Sequence, residues 1–209
     1  MEKLIERYQI LCAKIEPNAR LVAISKGRSV EQIQVLYEVG CRDFGENRVQ
    51  EFLPKWELLP KDIRWHFVGP LQKNKVSRLI GKCHCIHSID SLSLAEKVGK
   101  CSKDHGIITS VLVQVNVSGE ESKQGFSIAE LAQDFERLNQ IPCIQVDGLM
   151  TMAPFTEDRE KIRSCFQELR KWRDRLGVAH LSMGMSHDYQ IALEESATLV
   201  RVGSILFED

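Results

Sequence analysis

Short apolar runs and amphipathic stretches alternate from one end of the chain to the other. Most of the runs are almost continuously apolar, as in Val111 to Val117, and do not alternate strictly with polar residues. Strands of this kind are buried on both faces, which is typical of a parallel sheet covered by helices. The pattern predicts eight strands, at 21–25, 42–46, 64–68, 84–89, 109–117, 144–150, 179–183 and 199–203.

Helix signals fill the stretches between these runs. Ser29, Ser91 and Ser127 stand where helix N-caps are expected, and two of the helices should end at Gly40 and before Pro142. Further helices are predicted over about residues 2–15 and over 157–176. The longest helix should bury a stripe made of Ile162, Phe166, Leu169 and Trp172.

Eight strands alternating with helices predict an α/β fold, either a (β/α)8 TIM-type barrel or an open doubly wound sheet. The first run is not followed by Gly-x-Gly-x-x-Gly, the usual dinucleotide fingerprint, which favours the barrel. Only six residues follow the eighth run, so the N-terminal helix is expected to complete the ring of helices. We therefore expect one barrel domain over residues 1–209, with an extra N-terminal helix and a truncated C-terminus.

Composition and charge narrow the range of partners. The formal net charge is -1 and hydrophobic residues make up 43%, which allows a large core and provides no electrostatic footprint for nucleic acid. No run of about 18 apolar residues occurs, so no membrane span is expected. The charged N-terminus is unlike a secretory signal, and the seven cysteines suit a reducing compartment. A cytoplasmic protein without nucleic-acid or membrane partners is predicted.

One cysteine-rich stretch, Cys83 to His87, raises the question of a metal site. Its spacing matches no common zinc pattern, and successive residues on a strand point to opposite faces. A strand with buried free thiols is therefore expected there, without a metal.

Lys26 is the leading candidate for chemistry, because it ends the first apolar run between Ser25 and Gly27. In a barrel this position lies at the rim where such folds keep their active sites. An amine whose stem lies in an apolar wall loses hydration and becomes available to attack a carbonyl. The alternative is a strand-end lysine that extends into water.

The segments after the seventh and eighth runs, 182–186 and 201–204, are rich in small and hydroxyl residues. In barrels these loops often bind phosphate, and small residues allow backbone N–H groups to approach an anion. Arg201 could pair with phosphate or hold a ring nitrogen. The alternative is a pair of ordinary turns in which Arg201 pairs with a carboxylate.

Other polar residues gather near strand ends. Asn47 could bind a ligand hydroxyl or cap the following helix. His66 lies near the start of its run and is expected to be a buried structural histidine, the alternative being a general base. Met150 and Met152 should form apolar wall, with a ligand ring beside them. A nucleophilic amine facing a phosphate cradle fits pyridoxal 5'-phosphate, and it fits a sugar-phosphate carbonyl almost as well.

On several of these segments the chain resembles the pyridoxal-phosphate homeostasis protein family, also called alanine-racemase-like N-terminal barrel proteins. The departures are small: Gly27-Arg28 replaces the usual threonine-lysine, Ser196 lies near a usual glycine, and residues 207–209 read Phe-Glu-Asp. The matching segments are 21–26, 44–51, 65–69, 71–75, 148–152, 181–186 and 200–204.

The resemblance implies a protein that holds the cofactor on Lys26 as a Schiff base and delivers it inside the cell, without an established catalytic turnover. Transient contacts with apo-enzymes that use the cofactor are expected, from a monomer or weak dimer. Arg201 is implied at the phosphate or the ring, and the implied phosphate contacts are Ser182, Ser186, Gly203 and Ser204.

Two enzymatic alternatives stay open. An amino-acid racemase needs a base on each face of the substrate carbanion, but none of Tyr8, Tyr37 and Tyr189 is placed securely over a ring by the sequence. The chain also offers no second domain to exclude water from the carbanion. A Schiff-base aldolase would need an acid or base near Lys26, and no convincing one is evident.

Overall fold

All eight predicted runs form strands in the computed structural model, which describes residues 1–120 and 123–208. The strands follow one another in order around a closed barrel, and each pair is parallel. Pairing of Val22 with Arg201 joins the first strand to the last, which confirms the barrel over the open sheet. The strands are β1 (Arg20–Ile24), β2 (Asp43–Glu46), β3 (Arg64–Phe67), β4 (Cys85–Ile89), β5 (Thr109–Gln114), β6 (Ile144–Met150), β7 (His180–Ser182) and β8 (Leu199–Val202).

Helices cover the outside of the barrel. The predicted caps are confirmed, since the side chains of Ser29, Ser91 and Ser127 each accept a hydrogen bond from a backbone N–H three residues later. The longest helix begins two residues later than predicted, because the Asp158 side chain caps it by accepting from the backbone N–H groups of Glu160 and Lys161. The helices are α1 (Glu2–Ile15), α2 (Val30–Glu38), α3 (Val49–Leu58), α4 (Val76–Leu79), α5 (Leu92–Asp104), α6 (Ile128–Asn139), α7 (Arg159–Leu176), α8 (Tyr189–Glu194) and α9 (Ser204–Phe207).

The ring of helices closes as expected, with α1 against the single turn of α9 that follows β8. Arg7 donates to the backbone carbonyl of Glu208, and Arg28 pairs with the Glu208 carboxylate at 2.5 Å. The Arg28 guanidinium also lies 5.4 Å from the centre of the Phe207 ring. These contacts fasten α9 to α1 and to the segment that follows β1.

The barrel interior contains a small apolar layer, separate from the larger core between strands and helices. Cys85, the first residue of β4, belongs to the inner layer, whereas Cys83 lies two residues before the strand and packs against the outer core. The buried members of the inner layer are Val22, Cys85, Leu112, Met150 and Leu199.

The seven cysteines are unpaired, and most of them lie in or against the core. Burial raises the pKa of the Cys41 and Cys85 thiols to about 12 and that of Cys165 to about 11. Within the described residues, no three His, Cys, Asp or Glu side chains are grouped so that they could hold a metal ion. None of the helices in residues 1–120 and 123–208 has both the length and the apolar character needed to cross a bilayer.

Candidate cofactor site

A cavity of about 450 Å³ opens at the carboxyl ends of the strands. We call this opening the carboxyl-end mouth. Its volume lies in the range of small-molecule sites, and apolar wall surrounds a few polar groups, as such sites require. Its lining residues are Ile24, Asn47, Val68, Gly69, Pro70, Gln114, Lys123, Gln124, Met152, Met185 and Arg201.

Lys26 lies two residues beyond Ile24, in a turn in which the Arg28 N–H donates to the Ser25 carbonyl at 3.0 Å. Gly27 takes φ 67, a conformation that favours glycine. Lys26 is exposed and makes no hydrogen bond or ion pair with any residue that the structure describes. The expected apolar wall around the amine is therefore not seen, because the turn extends Lys26 past the end of the strand.

A buried ion pair behind this turn holds it in place. The Lys55 ammonium lies 2.6 Å from Glu46 Oε1 and donates to the Ser25 carbonyl at 2.7 Å. The Ser25 hydroxyl donates to the same Glu46 oxygen at 2.7 Å. Burial raises the pKa of Glu46, although bonds from Lys55 and Ser25 oppose the shift. On the outer side, the Gly27 N–H donates to Glu51 at 2.9 Å.

Arg201 extends from β8 across the barrel and forms part of the floor of the cavity. Its guanidinium donates to Ser182 Oγ and, at 2.8 Å, to the Thr151 carbonyl. Burial lowers the pKa of Arg201 to about 10, which still leaves it positively charged at neutral pH. The predicted alternative, direct pairing with a carboxylate, is not found among the described residues.

The loops after β7 and β8 meet, as the sequence predicted. The Gly203 N–H points to Ser186 Oγ at 3.4 Å, and Ser204 is exposed at the start of α9. Gly184 has φ 88, and a Cβ there would lie 2.6 Å from the Ala192 side chain, so only glycine fits this turn. Small residues therefore bring Ser186 next to Gly203, which Ser204 follows, and these positions adjoin the lining residues Met185 and Arg201.

Ser182 lies deeper than these three residues. Its side chain is fully buried, and its Oγ is occupied by Arg201 and His87. The hydroxyl consequently supports the guanidinium from below. Met150 is also below the mouth, in the inner apolar layer, and Met152 lines the cavity in its place.

Asn47 lies at the mouth, after β2. The helix that follows is capped at Arg48 without a side-chain bond, so Asn47 does not serve as the cap. Its Oδ1 is buried and has no hydrogen-bond partner among the described residues. A Cβ on Gly69 would lie 2.2 Å from the Asn47 carbonyl oxygen, so glycine is needed for β3 to approach this strand end.

Sequence reasoning missed the side chains that support the site from behind. Glu46 and Lys55 were not singled out, and His66 was expected only to be buried, which it is. His66 is also bonded to His87, which lies on the next strand. The sequence did contain a signal for these supporting groups. Polar residues inside otherwise apolar strands need hydrogen-bond partners when they are buried.

The fold and this mouth define a (β/α)8 barrel protein with its candidate site at the carboxyl ends of β1, β2, β3, β5, β6, β7 and β8. The chain belongs to the alanine racemase N-terminal domain family, which it matches over residues 1–209. It is 43% identical to the pyridoxal phosphate homeostasis protein of Aquifex aeolicus, over 99% of this chain and 95% of that protein. The protein of the same name from Synechocystis is 36% identical, over 97% and 96%.

Solved structures with the same barrel fold include a close structural match from this family. PipY of Synechococcus elongatus with pyridoxal phosphate bound superposes with a TM-score of 0.90 at 34% identity, covering 98% of this chain and 99% of that one. An alanine racemase of Clostridium difficile superposes with a TM-score of 0.84 over 99% of this chain and 56% of its own. At 16% identity, that likeness shows the shared fold alone.

Proposed function

We propose that this protein binds pyridoxal 5'-phosphate in the carboxyl-end mouth and holds it for delivery to other proteins. The observation that carries the proposal is the combination of a buried cation on Arg201, which lines the mouth, with two features next to other lining residues. The unpaired amine of Lys26 lies two residues beyond Ile24, and Ser186, which Gly203 contacts, follows Met185. The similarity to PipY, whose structure includes the bound cofactor, supports the same assignment over nearly the whole chain.

The residues present fit the cofactor. The buried Oδ1 of Asn47 lacks a partner and could accept from a ligand hydroxyl. The crossing loops at Ser186, Gly203 and Ser204 provide hydroxyl groups and backbone N–H groups for a phosphate. We assign Ser182 to the support of Arg201 rather than to a phosphate contact, and Met150 to the floor beneath the ring.

Covalent attachment at Lys26 follows from its position. Its amine has no competing partner among the described residues, and the Lys55–Glu46 pair fixes the turn that presents it. When bound, pyridoxal phosphate supplies an aldehyde that an amine can capture reversibly and an electron-accepting ring. Reversible capture on an exposed lysine suits a protein that must release the cofactor again.

Delivery of the cofactor is favoured over catalytic turnover by the positions of the three tyrosines. Racemisation needs a base on each face of the substrate, and each of the three tyrosines is bonded or packed elsewhere in the described part of the chain. Tyr37 donates to Asp62, and Tyr8 and Tyr189 pack against the outer core. The Aquifex aeolicus and Synechocystis relatives carry the name pyridoxal phosphate homeostasis protein, which supports the same assignment.

We further propose that residues 1–209 act as one domain and that the recipients are apo-enzymes inside the cell, met transiently by a monomer or weak dimer. The seven unpaired thiols suit that reducing environment.

The decisive experiment is borohydride reduction of the cofactor-loaded chain, followed by peptide mapping. We expect a yellow protein whose label maps to Lys26 and whose visible absorbance is lost in Lys26→Ala. Lys14→Ala is the matched control, because Lys14 is also exposed but lies on α1, away from the mouth. A label on another lysine would contradict the attachment site, and a colourless chain without affinity for the cofactor would favour the aldolase. Steady turnover of alanine enantiomers at about 10 per second, a typical enzyme rate, would favour the racemase.

A further inference from the structure

A chain of hydrogen-bonded side chains runs through the barrel interior beneath Arg201. Ser182 Oγ is bonded to His87 Nδ1 at 2.9 Å, and His87 Nε2 is 2.8 Å from His66 Nδ1. His66 Nε2 lies 3.0 Å from Asp43 Oδ1, near the amino ends of the strands. Its members stand on five different strands, and none is more than 5% exposed.

We infer that Asp43, His66 and His87 are positioning residues for Arg201, forming with Ser182 a one-directional relay that links a carboxylate at one end of the barrel to the guanidinium at the other. The relay holds the guanidinium beneath the mouth and connects its buried charge to a counter-charge. This inference rests on the proposed function only where it concerns the cofactor.

The direction of the relay follows from the donor and acceptor inventory. Arg201 can only donate, so Ser182 accepts from it and has its own hydrogen to give to His87 Nδ1. His87 must then carry its hydrogen on Nε2 and donate to His66 Nδ1. His66 in turn carries its hydrogen on Nε2 and donates to Asp43. The reverse order would leave the Ser182 hydroxyl hydrogen without an acceptor in the relay.

The charges agree with this order. Burial lowers the pKa of His66 and lowers that of His87 still further, so both rings are neutral. Burial alone would raise the pKa of Asp43, but bonds from Arg64 and His66 outweigh it and hold that pKa well below its usual range. Arg64 donates to Asp43 Oδ1 at 2.8 Å, which anchors the anionic end.

The relay explains how Arg201 stays correctly directed in a buried position, while the charge of the nearby Asp188 carboxylate opposes the lowering of its pKa by burial. Its other bond goes to a neutral carbonyl, that of Thr151. Aligned dipoles between Arg201 and Asp43 offset part of the desolvation of the guanidinium. Loss of the middle of the relay would leave buried polar groups without partners and free the guanidinium to turn away from the ligand.

The first test measures the two tautomers in the apo protein by long-range proton–nitrogen NMR, with His66→Gln and His87→Gln used to assign the signals. We expect both rings to be neutral and protonated on Nε2 near pH 7. A hydrogen on Nδ1 of either ring, or a charged ring, would overturn the relay. Because no cofactor is present, this result is independent of the proposed function.

The second test compares His87→Phe with His87→Gln. The phenyl ring keeps the volume but removes both bonds, whereas the glutamine amide can accept from Ser182 and donate to His66. We expect pyridoxal phosphate to bind His87→Phe about tenfold or more weakly, and His87→Gln within about threefold of the unaltered chain. Ser88→Ala is the matched control, since Ser88 is the next residue, is also buried and lies outside the relay.

The same titration with pyridoxal, which lacks the phosphate, identifies the part of the ligand that Arg201 serves. Equal weakening for both ligands assigns Arg201 to the ring, whereas weakening for pyridoxal phosphate alone assigns it to the phosphate; either result supports the relay. Unchanged affinity in folded His87→Phe overturns it. If His87→Phe does not fold, the tautomer measurement on the unaltered chain still decides.

Discussion

Removing the Lys55 ammonium should destabilise the protein sharply, because this group is the cation that pairs with the buried Glu46. The replacement Lys55→Met keeps a long apolar side chain in a position that is 7% exposed. It removes the bond to Glu46 at 2.6 Å and the bond to the Ser25 carbonyl at 2.7 Å. Glu46 would keep only the Ser25 hydroxyl, since its Oε2 already has no partner among the described residues.

The size of the expected loss in unfolding free energy follows from the burial of Glu46. Breaking a buried pair by removing one partner costs about 3–5 kcal/mol. The carboxylate can escape by taking up a proton, which at pH 7 costs about 4 kcal/mol for a group of ordinary pKa near 4.3. We therefore expect a loss of about 3–4 kcal/mol at pH 7. The loss should shrink by about 1.4 kcal/mol for each pH unit toward pH 5, because protonation of Glu46 becomes easier.

The loss of stability can be measured by urea unfolding. Three proteins are compared: the unaltered chain, Lys55→Met and the double variant Glu46→Leu/Lys55→Met. The double variant removes both charges, and the Ser25 hydroxyl retains the Gly45 carbonyl at 3.3 Å as an acceptor. It should recover most of the stability, since buried ion pairs are often replaceable by apolar residues. A loss below about 1 kcal/mol for Lys55→Met, or a double variant no more stable than the single one, would refute this account of the pair.

Three further predictions concern single positions. Gly69→Ala should destabilise by about 1–3 kcal/mol in urea unfolding, because the new Cβ would meet the Asn47 carbonyl oxygen; an unchanged midpoint would show that the strand end yields freely. In Asp43→Asn, the stability deficit at pH 7 should shrink as the pH falls below about 4, since the lowered pKa of Asp43 contributes stability above that range; a constant deficit would contradict the bonded carboxylate. Ser196→Gly should raise the unfolding free energy by about 0.5–1 kcal/mol, because Ser196 has φ 66 and relief of that strain exceeds the entropic cost of glycine; a less stable variant would count against it.

The strands and most of the outer helices could be predicted because their signals are local. An apolar run such as 109–117 and a cap such as Ser127 report on neighbouring residues only, and both led to the correct element. The departure noted near Ser196, where a glycine is usual, also has a local meaning, since Ser196 adopts a left-handed conformation.

The supporting groups of the site could not be predicted in the same way. Asp43, His66 and His87 come together only because three neighbouring strands align, and Ser182 and Arg201 join them from the far side of the closed barrel. Nothing in the local pattern specifies which buried polar group faces which. The burial of Ser182 and Met150 below the mouth likewise depends on the register between neighbouring strands, which cannot be read from the sequence.

The natural cysteines are distributed so that their reactivity can report on local opening of the barrel. Cys41 precedes β2, Cys85 lies in β4 and Cys165 lies in α7, so three separate sectors each carry a thiol with a raised pKa. Such thiols react with alkylating reagents only when their sector opens and water reaches the sulfur. The order of their modification, read by mass spectrometry, would reveal which part of the wall gives way first, without any introduced probe.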